Sequence, residues 1–246
     1  MQRILKAVCL LALGLFLYSR VLNDSLLYYI NERFTALTML ASLGLVLVAG
    51  STLVLLARGG GPAHDDPEHG RGRLSWAGFV LLALPVILGW LTPPAPLGAS
   101  ALSNRQLDIG GSSVGSVTVG GEARAAAPAD GGPRNVLDWV RASQRGNGAE
   151  AIAGEEATVV GFVYRDERFA DDQFLVARYV LSCCVADAAP IGLVVQWTEA
   201  TALETDTWVE VQGHFTPGPF AGDSVAVLVA DQVTGAERPA QPYLYP

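Results

Sequence analysis

Two adjacent cysteines, Cys183 and Cys184, close the apolar run QFLVARYVLSCC, and Asp187 follows three residues later. Two thiolates and a carboxylate, with His214 as a fourth donor, form a ligand set for zinc, copper(I) or an arsenic-like species. Neighbouring side chains of a regular strand point to opposite faces, so both sulfurs reach one ion only where the chain turns. The stretch CCVADAAPIG offers such a turn, since the strand-like pattern stops there and Pro190 follows. The pair lacks the usual two-residue spacing of zinc cysteines. A second chemistry is redox: adjacent cysteines close a strained eight-membered disulfide ring, and strained disulfides are labile. A third possibility is structural. Cys183 then packs in a sheet core, Cys184 faces a neighbouring element, Asp187 caps the turn and Arg178 pairs with an acidic neighbour. The residues leave all three open.

Other chemistry has little support. His214 is the one histidine beyond residue 133, and Ser182 has no histidine near it in sequence. There is no G-x-S-x-G, no phosphate loop and no H-E-x-x-H. A Cys183–His214–Asp187 set imitates a thiol triad, but any chain with these residue types allows that drawing. The expectation is a protein that is not an enzyme and has no catalytic residues. His64, Asp65, Asp66, Glu68 and His69 lie in RGGGPAHDDPEHGRGR, whose Gly, Pro and charge content describes a solvated loop without rigid ligand spacing.

The elements that must carry the cysteine pair change period along the chain. Val136, Leu137 and Val140 recur at helical spacing, and Gly146 can end that helix. Alternation then predicts five strands: 156–166, with Gly161 allowing a bend; 173–184, with Leu175, Ala177, Tyr179 and Leu181 on one face; 191–197; 207–215; and 223–233. Five strands in about 80 residues predict a small OB-like barrel, with a short helix between 198 and 206 and an SH3-like barrel as the competing assignment.

Upstream the chain is apolar. Half of its 246 residues are hydrophobic, and the excess lies before residue 98. Three membrane spans are predicted: Ile4 to Leu22; the uncharged stretch between Arg33 and Arg58; and Leu74 to Leu91, which holds Pro85 and has Trp76 and Trp90 near its ends. The first segment also resembles a signal peptide, although YSRVLNDS is a poor cleavage site. Arg3, Lys6, Arg58, Arg71 and Arg73 outnumber Arg20, Arg33 and Arg105 on the other side. This favours a cytoplasmic N-terminus and a C-terminal domain outside the cytoplasm. The expected class is membrane α plus all-β: a three-span region (1–97), a flexible Gly/Ala/Ser-rich linker (98–133) with one short strand at 116–119, and the OB-like domain with its leading helix (134–246). From Arg134 onward there are seven arginines, no lysine and sixteen acidic residues, a net charge of −9, whereas residues 1–133 carry +1. So acidic a domain repels phosphate backbones, which argues against nucleic acid as a partner.

The order of these features resembles the YcgQ-like group of bacterial membrane proteins, which carry a domain of unknown function. The resemblance rests on YYINERF, LPVILGWLTPP, LSNRQLDI, LDWV, GEEATVVGFVYRD, FLVARYVLSCCVADAAPIGLVV and WVEVQGHF, which together span most of the chain. Arg178, Cys183, Cys184, Ala186, Asp187 and Pro190 stand in the group's pattern; the long Gly-rich linker departs from it. The resemblance implies an accessory subunit seated in the lipid bilayer beside a multi-span permease. It implies no substrate and no biochemical activity.

Overall fold

The computed structural model describes residues 2–58, 76–104, 108–109, 133–144 and 148–246. The chain divides into two compact units, Met1–Ala95 and Pro96–Pro246. The 64–69 ligand candidates, Gly146 and the short strand expected at 116–119 lie outside the described residues.

The first unit is helical: α1 (Gln2–Leu22), α2 (Thr35–Ala57) and α3 (Trp76–Leu91). Two stretches, Ile4–Leu22 and Glu32–Ala57, are long and apolar enough to cross a membrane. The third expected span is not matched in the same way. Among the described residues α3 contributes 16, a rise of about 24 Å set against the roughly 30 Å of a hydrocarbon core. Small residues let α1 approach α2 closely: a Cβ on Gly14 would lie 2.9 Å from Val46 Cγ2 and 3.1 Å from the Ser42 carbonyl. Arg20 covers the Phe16 ring and donates to the Gly89 carbonyl of α3.

The second unit is built on a sheet of seven strands: β1 (Asp108–Ile109), β2 (Glu156–Tyr164), β3 (Gln173–Val180), β4 (Ala189–Gln196), β5 (Trp208–Phe220), β6 (Asp223–Gly235) and β7 (Tyr243–Leu244). The five long strands are those the alternation predicts, with β5 and β6 running further than expected. Their pairings close on themselves. β2 pairs antiparallel with β3 and β5, β3 with β4, and β5 with β6, while β6 returns parallel to β4. β1 adds to β4 and β7 to β3, both parallel. Close backbone approach demands glycine twice: a Cβ on Gly213, at the bulge in β5, would sit 2.1 Å from the Val229 carbonyl oxygen, and one on Gly161 2.7 Å from that of Ala177.

Both sheet faces are covered. On β3, Phe174, Val176 and Val180 join a core with Val159, Leu193, Val211, Phe215 and Leu228. Helix α4 (Val136–Ser143) packs onto that core through Val136, Leu137, Trp139 and Val140. Its start is fixed locally: Asn135 Oδ1 accepts from the N–H groups of Leu137 and Asp138, and Asp138 Oδ2 accepts from that of Asn135. Leu175, Ala177, Tyr179 and Leu181, on the predicted common face, join a second core with Phe162, Val194, Val227 and Tyr243.

What covers that second face was not legible. Residues 96–104, read in sequence as the end of the membrane region and the start of a linker, bury Ala99 and Leu102 against it. Three hydrogen bonds hold them: the Leu97 N–H to Tyr243 Oη (2.7 Å), Tyr179 Oη to the Gly98 carbonyl (3.0 Å) and the Ala99 N–H to Asp206 Oδ1 (2.8 Å). Between 198 and 206 the expected helix is reduced to one 3₁₀ turn, Ala200–Ala202.

Candidate functional site

Strand β3 stops at Val180 because its next N–H groups find other acceptors. The Leu181 N–H donates to the Leu244 carbonyl (2.9 Å). Those of Ser182 and Cys183 donate to Asp187 Oδ1 (3.0 Å) and Oδ2 (2.7 Å), with Cys184 adding a longer bond of 3.4 Å to Oδ2. One carboxylate thus gathers three successive N–H groups, and a 3₁₀ turn (Val185–Asp187) follows. Asp187 does cap the turn, as the structural alternative expected.

The capped turn removes the alternation that would separate the two cysteines. Their Sγ atoms lie 3.6 Å apart as free thiols, with Cys183 exposed and Cys184 half-buried. Cys183, Cys184 and Asp187 each offer a ligand atom within 4.8 Å of the others, the one such group of three or more among the described residues. His214 is placed elsewhere, on β5 opposite Glu156, with Nδ1 3.9 Å from Asp231 Oδ2. Pro190 is buried on β4 opposite Tyr179.

The carboxylate also shapes the thiol chemistry. The hydrogen bond to Asp187, then that to Cys184, with smaller effects of burial and of the neighbouring charges, push the Cys183 thiol up to about 11. Asp187 shifts the other way. Burial alone would raise it, but bonds from the Cys183 side chain and from the N–H groups of Cys183, Ser182 and Cys184 hold it below the ordinary carboxylate value. At neutral pH the site is therefore a protonated thiol beside a carboxylate, and a cation binding there must displace protons.

Arg178 serves the same end of β3 differently. The expectation of an acidic partner fails: buried, it donates to three carbonyls, Pro242 (Nε, 3.0 Å), Val160 (3.1 Å) and Gln241 (3.1 Å), and covers the Trp208 ring at 5.1 Å. Desolvation lowers it to about 10, so it stays charged. Arg178 clamps the C-terminal tail, and that tail receives the Leu181 N–H at the root of the cysteine turn. Sequence reasoning missed Tyr179, Tyr243 and Asp206 as anchors; a lone arginine in an apolar strand was the visible signal of a tertiary clamp.

Residues 5–108 match the DUF1980 N-terminal domain and residues 146–246 the DUF1980 C-terminal domain. Over 88 residues the chain is 27% identical to the UPF0703 protein YcgQ of Bacillus subtilis (strain 168). That stretch is 35% of this chain and 30% of YcgQ, less than a third of the relative's length. The two domain matches, in order and together spanning both compact units, show that the chain belongs to the DUF1980 family of YcgQ-like proteins.

Proposed function

We propose that this chain is a non-enzymatic accessory subunit of a multi-span permease, anchored in the membrane, whose sheet unit lies outside the cytoplasm and presents a dithiol site to a cation or thiol-reactive solute. The observation that carries the binding part is the sulfur pair: two accessible thiols 3.6 Å apart on a capped turn, with a carboxylate beside them. The charge balance supports it, since a net of −9 from Arg134 onward raises the local cation concentration. The permease part rests on family resemblance and on helices able to cross a bilayer. The cyclic pairing of five strands, with one parallel closure between β4 and β6, supports reading the sheet as an OB-type barrel. The face such barrels offer to oligonucleotides is here covered by residues 96–104 and β7, which agrees with the acidic charge in disfavouring nucleic acid.

Purifying the full-length protein from native membranes in mild detergent tests the partner. A near-stoichiometric multi-span permease by mass spectrometry is the expected result; recovery of the chain alone overturns the subunit reading. A second reading has its own support. The cysteine turn lies wholly within one compact unit with two cores, which suits a stand-alone membrane-anchored metal or redox module. Metal retained by the protein in the absence of any partner favours it.

A further inference from the structure

The geometry points to an open, exchangeable coordination site at Cys183–Cys184 for a four-coordinate, borderline-soft ion of the zinc type, with at least one position that the described residues leave to an incoming ligand. This rests on the reading of the cluster as an ion site and adds the class of ion and the manner of its holding.

Three observations carry it. The first is the sulfur separation. Metal–sulfur bonds of about 2.3 Å drawn from two sulfurs 3.6 Å apart meet at about 100°, near the tetrahedral angle. A linear ion between two thiolates at that bond length would hold the sulfurs about 4.6 Å apart. The pair as placed fits a bent arrangement without opening the turn. The second is the donor count. Among the described residues only Cys183, Cys184 and Asp187 lie together, and His214 sits by Asp231 on another strand. Asp187 already accepts three backbone N–H bonds, so it contributes one oxygen at most. Four-coordinate zinc thus has one or two positions unfilled by the described residues, as in sites that exchange ligands rather than in closed structural ones. The third is what holds the turn. Its N–H groups are satisfied by Asp187 and its root by the Leu244 carbonyl, so the ion organises no backbone here. Structural zinc does the reverse and folds its ligands. An ion on this turn is cargo, able to pass to an incoming thiolate or imidazole by ligand exchange.

Cobalt(II), titrated into the full-length protein in detergent, is the probe. A Cys9→Ser background leaves two thiols to report. One equivalent should give the intense visible bands of tetrahedral cobalt and a thiolate-to-cobalt charge-transfer band. Zinc should displace it. Cys183→Ser or Cys184→Ser should each weaken binding by at least about tenfold, since even an outer-shell partner is worth that much. Added 2-mercaptoethanol or imidazole should shift the spectrum of the bound ion, and a chelator should leave the melting midpoint at that of the Cys183→Ser variant. Absence of the charge-transfer band overturns this inference, and absence of any bound ion, copper(I) included, overturns the ion-site reading with it. A band that appears but ignores added ligands, with loss of fold on chelation, shows a closed structural site and overturns this inference while the ion-site reading stands. Binding of copper(I) alone, with no cobalt or zinc bound, also keeps the ion-site reading and sinks the four-coordinate assignment.

Discussion

The cysteine turn is governed by one carboxylate. Asp187 holds three N–H groups and raises the Cys183 thiol, so its removal should separate two effects. Asp187→Ala should cost about 1 kcal/mol, the usual worth of a side-chain cap, read as a shift in denaturant midpoint. In the same variant Cys183 should be alkylated faster at pH 8, because a thiol that titrates near 11 moves back toward its ordinary value and exposes more thiolate. Mass spectrometry of iodoacetamide-treated protein, on a Cys9→Ser background, gives the rate; an unchanged rate would show that Asp187 does not control this thiol. The sign for the carboxylate itself is opposite. Its folded-state value is depressed, so its cap is fully present above the unfolded Asp value of about 4 and is lost as pH falls through the folded one. Wild type should therefore lose more stability than Asp187→Ala as the pH falls below about 4, the unfolded Asp value.

At the scale of elements, β3 is the strand to test, because it carries the turn and is buried on both faces. Arg178→Met removes the donors of three carbonyl acceptors, so it should cost about 2–3 kcal/mol and release the tail at Gln241 and Pro242. Hydrogen exchange should show early opening of the Leu181 N–H, whose acceptor is in that tail. If exchange there is unchanged, the clamp does not transmit to the turn. Much of this region was legible. Alternation located all five long strands, and Leu175, Ala177, Tyr179 and Leu181 do share a face. The partners of Arg178 were not legible, since they are backbone carbonyls more than sixty residues away for the tail and carry no side-chain signature. The pairing of the cysteines was half legible. Strand period argued against it, and only the Asp187 bonds show where that period ends.

At the scale of the whole molecule, the question is where the second folding unit begins. Composition put that boundary at 134, because Pro, Gly, Ala and Ser carry no periodic signal and read as a tether. The structure puts it at Pro96, because distant side chains, Tyr179, Asp206 and Tyr243, convert that composition into a packed strap. The two boundaries make different proteins. A fragment of residues 96–246 keeps Ala99 and Leu102 on the second core, with their three hydrogen bonds, whereas one of residues 134–246 leaves Tyr179 and Tyr243 uncovered. Burial of one leucine and one alanine with three hydrogen bonds, offset in part by the entropy of ordering the strap, makes the longer fragment the more stable of the two. Urea denaturation of the two fragments, followed by tryptophan fluorescence, measures the difference. The shorter fragment should also bind a hydrophobic dye on the bared face. Equal midpoints would mean that residues 96–104 rest on the sheet without stabilising it.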